Sequence, residues 1–475
     1  MNRLGEFFAR WVRRLLPDPL VLACLLTLVV LLIAVAAPKS DELAAQPVAD
    51  RCLAAAGLWL DGLWNPGFLA FALQMCFILL AGFGLARAPA VERLLDILAA
   101  RVHTGRGAVA LAAAVSCAGC WINWGFGLIL GGVFAARLHE RLATRGIRAN
   151  AALVVAASYS GMMIWHGGLS ASAPLKVAEQ GVPLAGGGFS APLLITQTVL
   201  SPGNLALTAI FLIGIPLVFR WMAGSDSDSN LLADTSSNAA APMEQRQPNG
   251  IEPATSPSLA DRLGHTRVIP LAIAAVALVA IGVLLYRRGA AAIDLNLVNT
   301  VFLVAGLLLH GSLARYGAAV AASGPALVGI VLQFPLYAGI QGVMQNAGLA
   351  AALSEAFVSA AAWGADHLGV GSGVTFPIAA FASAGVVNVF IPSGGGQWIV
   401  QGPILCDAAA RLGVPIPQAV MALAYGDQWT NMVQPFWALP LMGLTGVSVR
   451  RFMGYCVLLM LLAAPVFVAG LILMY

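Results

Sequence analysis

Six stretches of this chain, residues 20–37, 67–86, 205–219, 268–286, 295–309 and 452–475, run for 15 to 24 residues without one charged side chain. A helix needs ~20 apolar residues to cross the hydrocarbon core of a bilayer, so runs of this kind are read as spans. Outer-membrane barrels are instead written as segments of about ten residues with alternating hydrophobicity. The chain therefore reads as an all-α polytopic membrane protein. Composition agrees, with 60% hydrophobic and 10% charged residues against about 25% charged in soluble domains. This excludes a soluble enzyme, a nucleic-acid binder and a disordered chain.

The first apolar run, 20–37, follows Arg3, Arg10, Arg13 and Arg14. It is longer than the core of a secretory signal and is expected to remain as the first span. Before it, Phe7, Phe8, Trp11, Val12 and Leu15 share one helical face, which predicts a short helix on the cytoplasmic membrane surface. The seven cysteines lie mostly inside apolar runs and form no disulfide framework. Cys117 and Cys120 have redox or metal spacing, but the stretch is hydrophobic and other ligands are absent, so they read as small packing residues.

Only residues 223–267 are clearly polar, and they are expected to form a cytoplasmic linker. The halves on either side resemble each other weakly. Leu73-Gln74 matches Leu332-Gln333, Asn123 matches Asn388, and Ser158-Tyr159-Ser160-Gly161 to Trp165 matches Tyr425-Gly426-Asp427 to Trp429, in order and at nearly one offset. Such weak symmetry is characteristic of transporters built from internal repeats.

Lys and Arg set the orientation. Residues 88–106 and 137–148 are both basic, and only 107–136 separates them. Two spans need ~40 residues, and a single span would place the second basic stretch outside. A re-entrant hairpin with its tip at Asn123–Gly127 satisfies both constraints. Residues 345–373 carry Glu355 and Asp366 but no Lys or Arg, so the second hairpin is expected to enter from outside. The expected architecture is two inverted repeats, each with a re-entrant hairpin and a broken helix. The first repeat, 1–222, holds spans at 20–37, 67–87 and 203–221, a hairpin at 107–136 and a broken span at 151–175. The second unit, 268–475, holds the linking span 268–286, spans at 295–311, 325–343 and 453–475, a hairpin at 374–410 and a broken span at 416–440. With the N-terminus inside and the C-terminus outside, all but six of the 25 Lys and Arg are cytoplasmic. The exceptions are Lys39, Arg51, Lys176, Arg287, Arg288 and Arg411.

Non-helical backbone at membrane depth survives only when buried in protein or lining a cavity. Four interruptions fall at matched positions: the tips Asn123–Gly127 and Ser393–Gly396, and breaks at Tyr159-Ser160-Gly161 with Gly167-Gly168 and Pro174, and at Tyr425-Gly426-Asp427-Gln428 with Pro435. Half-helix N-termini at such breaks favour an anion, while freed carbonyls and polar side chains can hold Na⁺ or relay H⁺. The substrate is accordingly assigned to Asn123, Trp124, Gly125, Gly127, Ser393, Gly394, Gly395, Gly396, Gln397 and Trp398. The coupling cation is assigned to Asp427, Asn388, Ser158, Ser160, Tyr425 and Gln428. Asp427 is the one acidic residue deep in a membrane run, and charges there are usually functional. The three glycines let backbone approach a ligand, and Gly395→Val is expected to block that approach. At His166 a titrating role and a packing role both fit. Trp121, Trp124, Trp398, Trp429 and Trp437 gather near the breaks, as an acyl-chain wall or as packing.

The strings WVRRLLPDPL, CWINWGFGL, IPSGGGQWIVQGP and AYGDQWTNMVQPFWALP closely resemble the short-chain fatty acid transporter (AtoE) family, within the ion-transporter superfamily. The resemblance runs along nearly the whole chain outside the polar linker. It implies two inverted repeats and uptake of short-chain carboxylates such as acetoacetate or butyrate across the bacterial inner membrane. It also implies cation-coupled symport and a homodimer. Two positions depart from the family pattern: Gln397 stands where some relatives have His, and His166 where relatives have Gly. Competing classes are a cation/proton antiporter or channel and an intramembrane enzyme. The enzyme is disfavoured because neither GxSxG nor HExxH occurs, and no catalytic residue or cofactor is expected.

Overall fold

A computed structural model describes residues 2–183, 189–224, 258–289, 295–322 and 324–474. Among the described residues the chain is helical, apart from an isolated bridge between Pro183 and Phe189. The first half contains α1 (Asn2–Leu15), α2 (Pro19–Ala36), α3 (Asp41–Ala44), α4 (Val48–Leu63), α5 (Pro66–Ala86) and α6 (Pro89–Ala100). It continues with α7 (Gly105–Ile122), α8 (Trp124–Thr144), α9 (Ala151–Tyr159), α10 (Ser172–Gln180) and α11 (Pro202–Met222). The second half contains α12 (Leu259–His265), α13 (Val268–Arg288), α14 (Leu295–His310), α15 (Leu313–Ala321), α16 (Gly324–Asn346) and α17 (Leu349–Leu368). It ends with α18 (Ser372–Phe390), α19 (Gly394–Arg411), α20 (Ile416–Thr430), α21 (Pro435–Thr445) and α22 (Val449–Leu473).

Many boundaries follow from local chemistry. Asp18, Asn65, Thr104, Asn123, Asn150, Ser201 and Ser393 each accept a hydrogen bond from the first turn of the helix they precede. A short polar side chain at this position satisfies an amide that has no intrahelical partner. Proline opens α2, α5 and α11, where its missing N–H costs nothing.

Among the described residues seven helices are long and apolar enough to cross a membrane, or nine if two bent pairs are counted as spans. Membership differs from expectation. The seven include the hairpin arms α7 and α18, while the broken spans at 151–175 and 416–440 are divided into pieces too short to qualify alone. The α13 helix has large aliphatic residues such as Val276 and Val279 at 73% and 68% exposure, as suits a helix surrounded by lipid. The α1 helix divides its apolar face. Ala9 and Val12 are buried, with Ala9 against Gly454 of α22, whereas Phe7, Trp11 and Leu15 stay exposed.

The order of elements repeats between the halves: a long helix (α5, α16), the next helix beside it (α6, α17), a hairpin (α7–α8, α18–α19), a broken helix (α9 and α10, α20 and α21) and a closing helix (α11, α22). Both hairpins close at their open ends. Arg145 donates to the carbonyl of Ala100 at 3.0 Å, and Gly105 lies against the carbonyl of Arg148. In the second hairpin the Ser372 hydroxyl donates to the carbonyl of Leu412 at 3.0 Å. In the first, Asn123 both ends α7 and caps α8, and the arms touch through Gly119 and Gly127, where a side chain on Gly119 would come 2.7 Å from the Gly127 Cα.

Three features differ from the sequence reading. Residues 48–63 form α4, which packs on α16 through Gly62 and Gly342; its charges Asp50, Arg51 and Asp61 concealed it from a search for apolar runs. The second break lies beside Pro435, as expected, but not at Tyr425–Gln428, which lie within α20. It falls at Asn431–Val433, a 3₁₀ turn, and Gln434, just before Pro435. Proline restricts the residue before it to extended backbone, whereas Gly426 lets α20 lie directly on the carbonyl of Phe381. The expected linker includes α12, capped by Ser258 and Asp261; its residues 225–257 lie outside the described residues.

Candidate functional site

The interruptions converge. A cavity of about 260 Å³ is lined by Trp124, Met162, Trp165, Ser172, Lys176, Ser393, Gly394, Gly395, Gly396, Ile399 and Trp437. Trp124 opens α8, Ser172 opens α10, the three glycines open α19, and Trp437 lies in the first turn of α21. Four helix N-termini, two from each half of the chain, therefore border one space. A helix N-terminus carries about half a positive charge, although some first-turn amides already have acceptors here: Ser170 for Trp124, Asn123 for Phe126, His166 for Ala173 and Ser393 for Gly396.

Lys176 adds a whole charge. It is half-buried, with no ion pair or hydrogen bond among the described residues. Its ammonium lies over Gly395, where a Cβ would be 3.7 Å from Nζ. Neither Asp nor Glu lines the cavity. Apart from Ser172 and Ser393 the remaining side-chain wall is apolar, with Trp124 packed edge-on against Trp165 and Trp437. The indole Nε1–H of Trp165 is buried without a partner among the described residues, an uncommon situation for a native donor. This arrangement favours a small anion with an apolar body.

Directly behind the second tip lies a buried pair. His166 Nδ1 and Asp427 Oδ2 are 2.5 Å apart, with side chains 0% and 1% exposed. A Cβ on Gly394 would come 2.6 Å from His166 Cε1 and 3.2 Å from Asp427 Oδ2. The backbone amide of Ala173 donates to His166 Nε2 at 3.1 Å. Because Nε2 accepts, the proton of the neutral ring is on Nδ1 and is donated to the Asp427 carboxylate. Gln428 Oε1 accepts from the amides of His166 and Gly167 at 2.8 and 3.3 Å, which fixes the segment carrying the histidine.

The residues assigned from sequence separate into groups. Trp124, Ser393, Gly394, Gly395 and Gly396 line the cavity. Gly125 and Gly127 instead serve packing, against Ile78 and within the first hairpin. Asn123 caps α8 through Phe126 N. Gln397 turns into the second hairpin, donating to Ala384 O and Gln401 at 2.8 and 2.7 Å, and Trp398 packs against Gly402 one turn along. Of the residues assigned to the cation, Asn388 donates to Asp427 O, Thr430 and Asn431, Tyr425 donates to Asn204, and Ser160 donates to Ala157 O. The Ser158 hydroxyl is buried without a partner among the described residues. Trp429 is held by Met460 O, away from the cavity.

The sequence profile of the short chain fatty acid transporter family matches residues 1–474. The chain belongs to that family. A protein of Escherichia coli (strain K12), provisionally named a short-chain fatty acid transporter, is 35% identical over 472 residues, covering 99% of each chain. One of Haemophilus influenzae (strain ATCC 51907 / DSM 11121 / KW20 / Rd), with the same provisional name, is 32% identical over 476 residues at 99% of each. The crystal structure of the YdaH transporter of Alcanivorax borkumensis aligns with 96% of this chain and 97% of its own at 16% identity, with a TM-score of 0.43; so loose a match carries no further weight.

Within this family member, sequence reasoning overlooked Lys176 as a site residue and left His166 undecided. A signal existed for the first: between residues 149 and 219 the only charged side chains are Lys176 and Glu179, and a lone cation beside a broken span is a functional candidate. For His166 the deciding fact is its distance to Asp427, which lies 261 residues further along the chain.

Proposed function

We propose that the cavity holds the carboxylate of a short-chain fatty acid of the acetoacetate or butyrate type. The protein then acts as a secondary active transporter, carrying its substrate across the bacterial inner membrane by cation-coupled symport. The observation that supports this most is the set of four helix N-termini around one lysine with no acidic lining residue. A negative head would meet the N-termini and Lys176, and a short alkyl chain would lie on Met162, Ile399 and the tryptophans. The cavity volume, about 260 Å³, is below the range of roughly 300–1,000 Å³ typical of drug-sized ligands. A cation antiporter or channel would call for acidic groups in that lining. Inverted repeats, re-entrant hairpins and a homodimer complete the proposed architecture.

Butyrate should bind the purified protein and exchange by counterflow in proteoliposomes, measured against protein-free vesicles because the protonated acid crosses lipid unaided. Failure of both binding and counterflow, with acetoacetate also inactive, would remove this reading.

The orientation makes a separate prediction. Single cysteines replacing Arg101 and Arg145 should label only from the cytoplasm, and those replacing Glu355 and Asp366 only from outside. Labelling of positions 101 and 145 from opposite faces would contradict the closed end of the first hairpin.

A further inference from the structure

We propose that the His166–Asp427 pair is the binding site for the coupling cation, that this cation is a proton, and that the pair passes its state to the carboxylate site. The proposal rests on the carboxylate reading above and adds the identity and place of the coupled ion.

The pair has the features of a proton site. It is buried between the two halves, as His166 follows α9 and Asp427 sits in α20. With the ring neutral and the carboxylate ionised it carries one net negative charge. A proton reaching Nε2 would convert the imidazole to an imidazolium that donates from both nitrogens, one of them still toward Asp427. The pair would then be neutral overall. No covalent bond changes apart from the new N–H, and the proton is supplied by water.

Two physical links connect that proton to the substrate. The first is electrostatic. Asp427 Oδ2 lies 3.2 Å from the position of a Cβ on Gly394, directly behind the tip where the carboxylate would bind. An uncompensated Asp427 repels that anion, and protonation of the pair removes the repulsion. The second is mechanical. The Ala173 amide loses its acceptor when Nε2 is protonated and then faces another donor. Ala173 is the second residue of α10, and Lys176 lies one turn further on the same helix. The start of α10 must therefore shift as the proton binds, and Lys176 moves with it.

Other titratable groups near the pair do not duplicate it. On α10 these are Lys176, which faces the cavity, and Glu179, which is exposed. On α7 they are the thiols Cys117 and Cys120, and α9 contributes Tyr159, which donates to Asn431 O and Gln434 O. Within α20 the neighbour is Tyr425, bound to Asn204. On α19 they are the buried Cys406 and the Asp407–Arg411 pair at its exposed end. On α22 they are Cys456, Tyr455, which is bonded to Asn150, and Arg450 and Arg451 in its first turn. Among the described residues no group of three or more His, Cys, Asp or Glu is placed to hold a metal ion.

The sign of the pH effect follows. Between pH 6 and 8 butyrate remains a carboxylate, so any proton taken up on binding goes to the protein. The anion binds the protonated pair better, hence affinity should fall as pH rises. Calorimetry of butyrate binding to the full-length protein, in buffers of different ionisation enthalpy, counts the protons directly. Wild type should take up close to one proton per butyrate, without Na⁺. Asp427→Asn removes the charge to be neutralised and should bind butyrate with proton uptake near zero and little pH dependence, whereas His166→Gln removes the acceptor nitrogen but leaves the Asp427 charge in place and should bind butyrate weakly. A wild-type count of zero overturns the proposal even if both variants misfold. Butyrate binding with no proton uptake across this pH range, or binding that requires Na⁺, overturns the proton site and leaves the carboxylate site standing. Unchanged proton uptake in folded variants also overturns it. If wild type binds neither butyrate nor acetoacetate, the carboxylate reading fails and takes this proposal with it.

Discussion

Lys176→Met should weaken butyrate binding about 10- to 150-fold, which corresponds to the ~1.5–3 kcal/mol of a hydrogen bond to a charged group. Methionine keeps the length and apolar stem of the side chain and deletes only the ammonium. Lys176 has no hydrogen bond or close ion pair to lose among the described residues, only its attraction to the exposed Glu179, so the variant should express and elute like wild type. Lys176→Arg keeps the charge and should stay within tenfold of wild type, although a planar fork replaces a compact ammonium. The control is butyramide, which has nearly the same shape without the charge. Wild type should reject it, and Lys176→Met should distinguish it from butyrate far less. Equal butyrate affinity in wild type and Lys176→Met would mean that the helix N-termini hold the carboxylate without the lysine.

Gly394→Val should reduce counterflow to the level of empty vesicles. A Cβ at this position would lie 2.6 Å from His166 Cε1, 3.0 Å from Trp165 Cη2 and 3.2 Å from Asp427 Oδ2. None of these neighbours has freedom to yield. His166 is pinned on both nitrogens by Asp427 and Ala173, and Trp165 stacks on the His166 ring with centroids 4.2 Å apart. Overpacking of this kind costs about 1–3 kcal/mol, so a lower unfolding temperature should accompany the lost transport. Gly395→Ala is the contrasting variant. Its methyl would meet only Lys176 Nζ and Cε, at 3.7 and 3.8 Å, an ordinary contact. It should fold normally and retain measurable binding. Counterflow at the wild-type rate in Gly394→Val would show that the tip can separate from the pair at no cost.

These variants also reveal what was legible in the sequence. The triple glycine was recognisable as a site of close approach, but which glycine matters most was not. None of the three has positive φ, so their value lies in space rather than in backbone freedom, and space depends on neighbours distant in the chain. Gln397 and Trp398 belong to the same string, yet α19 turns them into the hairpin and away from the cavity. Helical periodicity alone separates Gly394 from Gln397 by less than one turn, too little to predict which faces outward without knowing where α10 and α18 lie. Gly125 and Gly127 carry the same glycine signal and serve packing instead.

The sequence by itself determined the helical membrane class and the positions of three of the four interruptions, with Pro435 marking the fourth. These depend on apolar run length, on capping residues and on where Arg and Lys can reside, all of which are local along the chain. Tertiary structure alone decided that the four interruptions meet, that their helix N-termini border one cavity, and that His166 finds Asp427. It also decided that Lys176, a lone cation in a broken segment, stands over the glycine tip. Those facts are distances between residues remote in the chain, 261 positions apart for His166 and Asp427 and further still for Trp124 and Trp437, and no local pattern of hydropathy or charge encodes them.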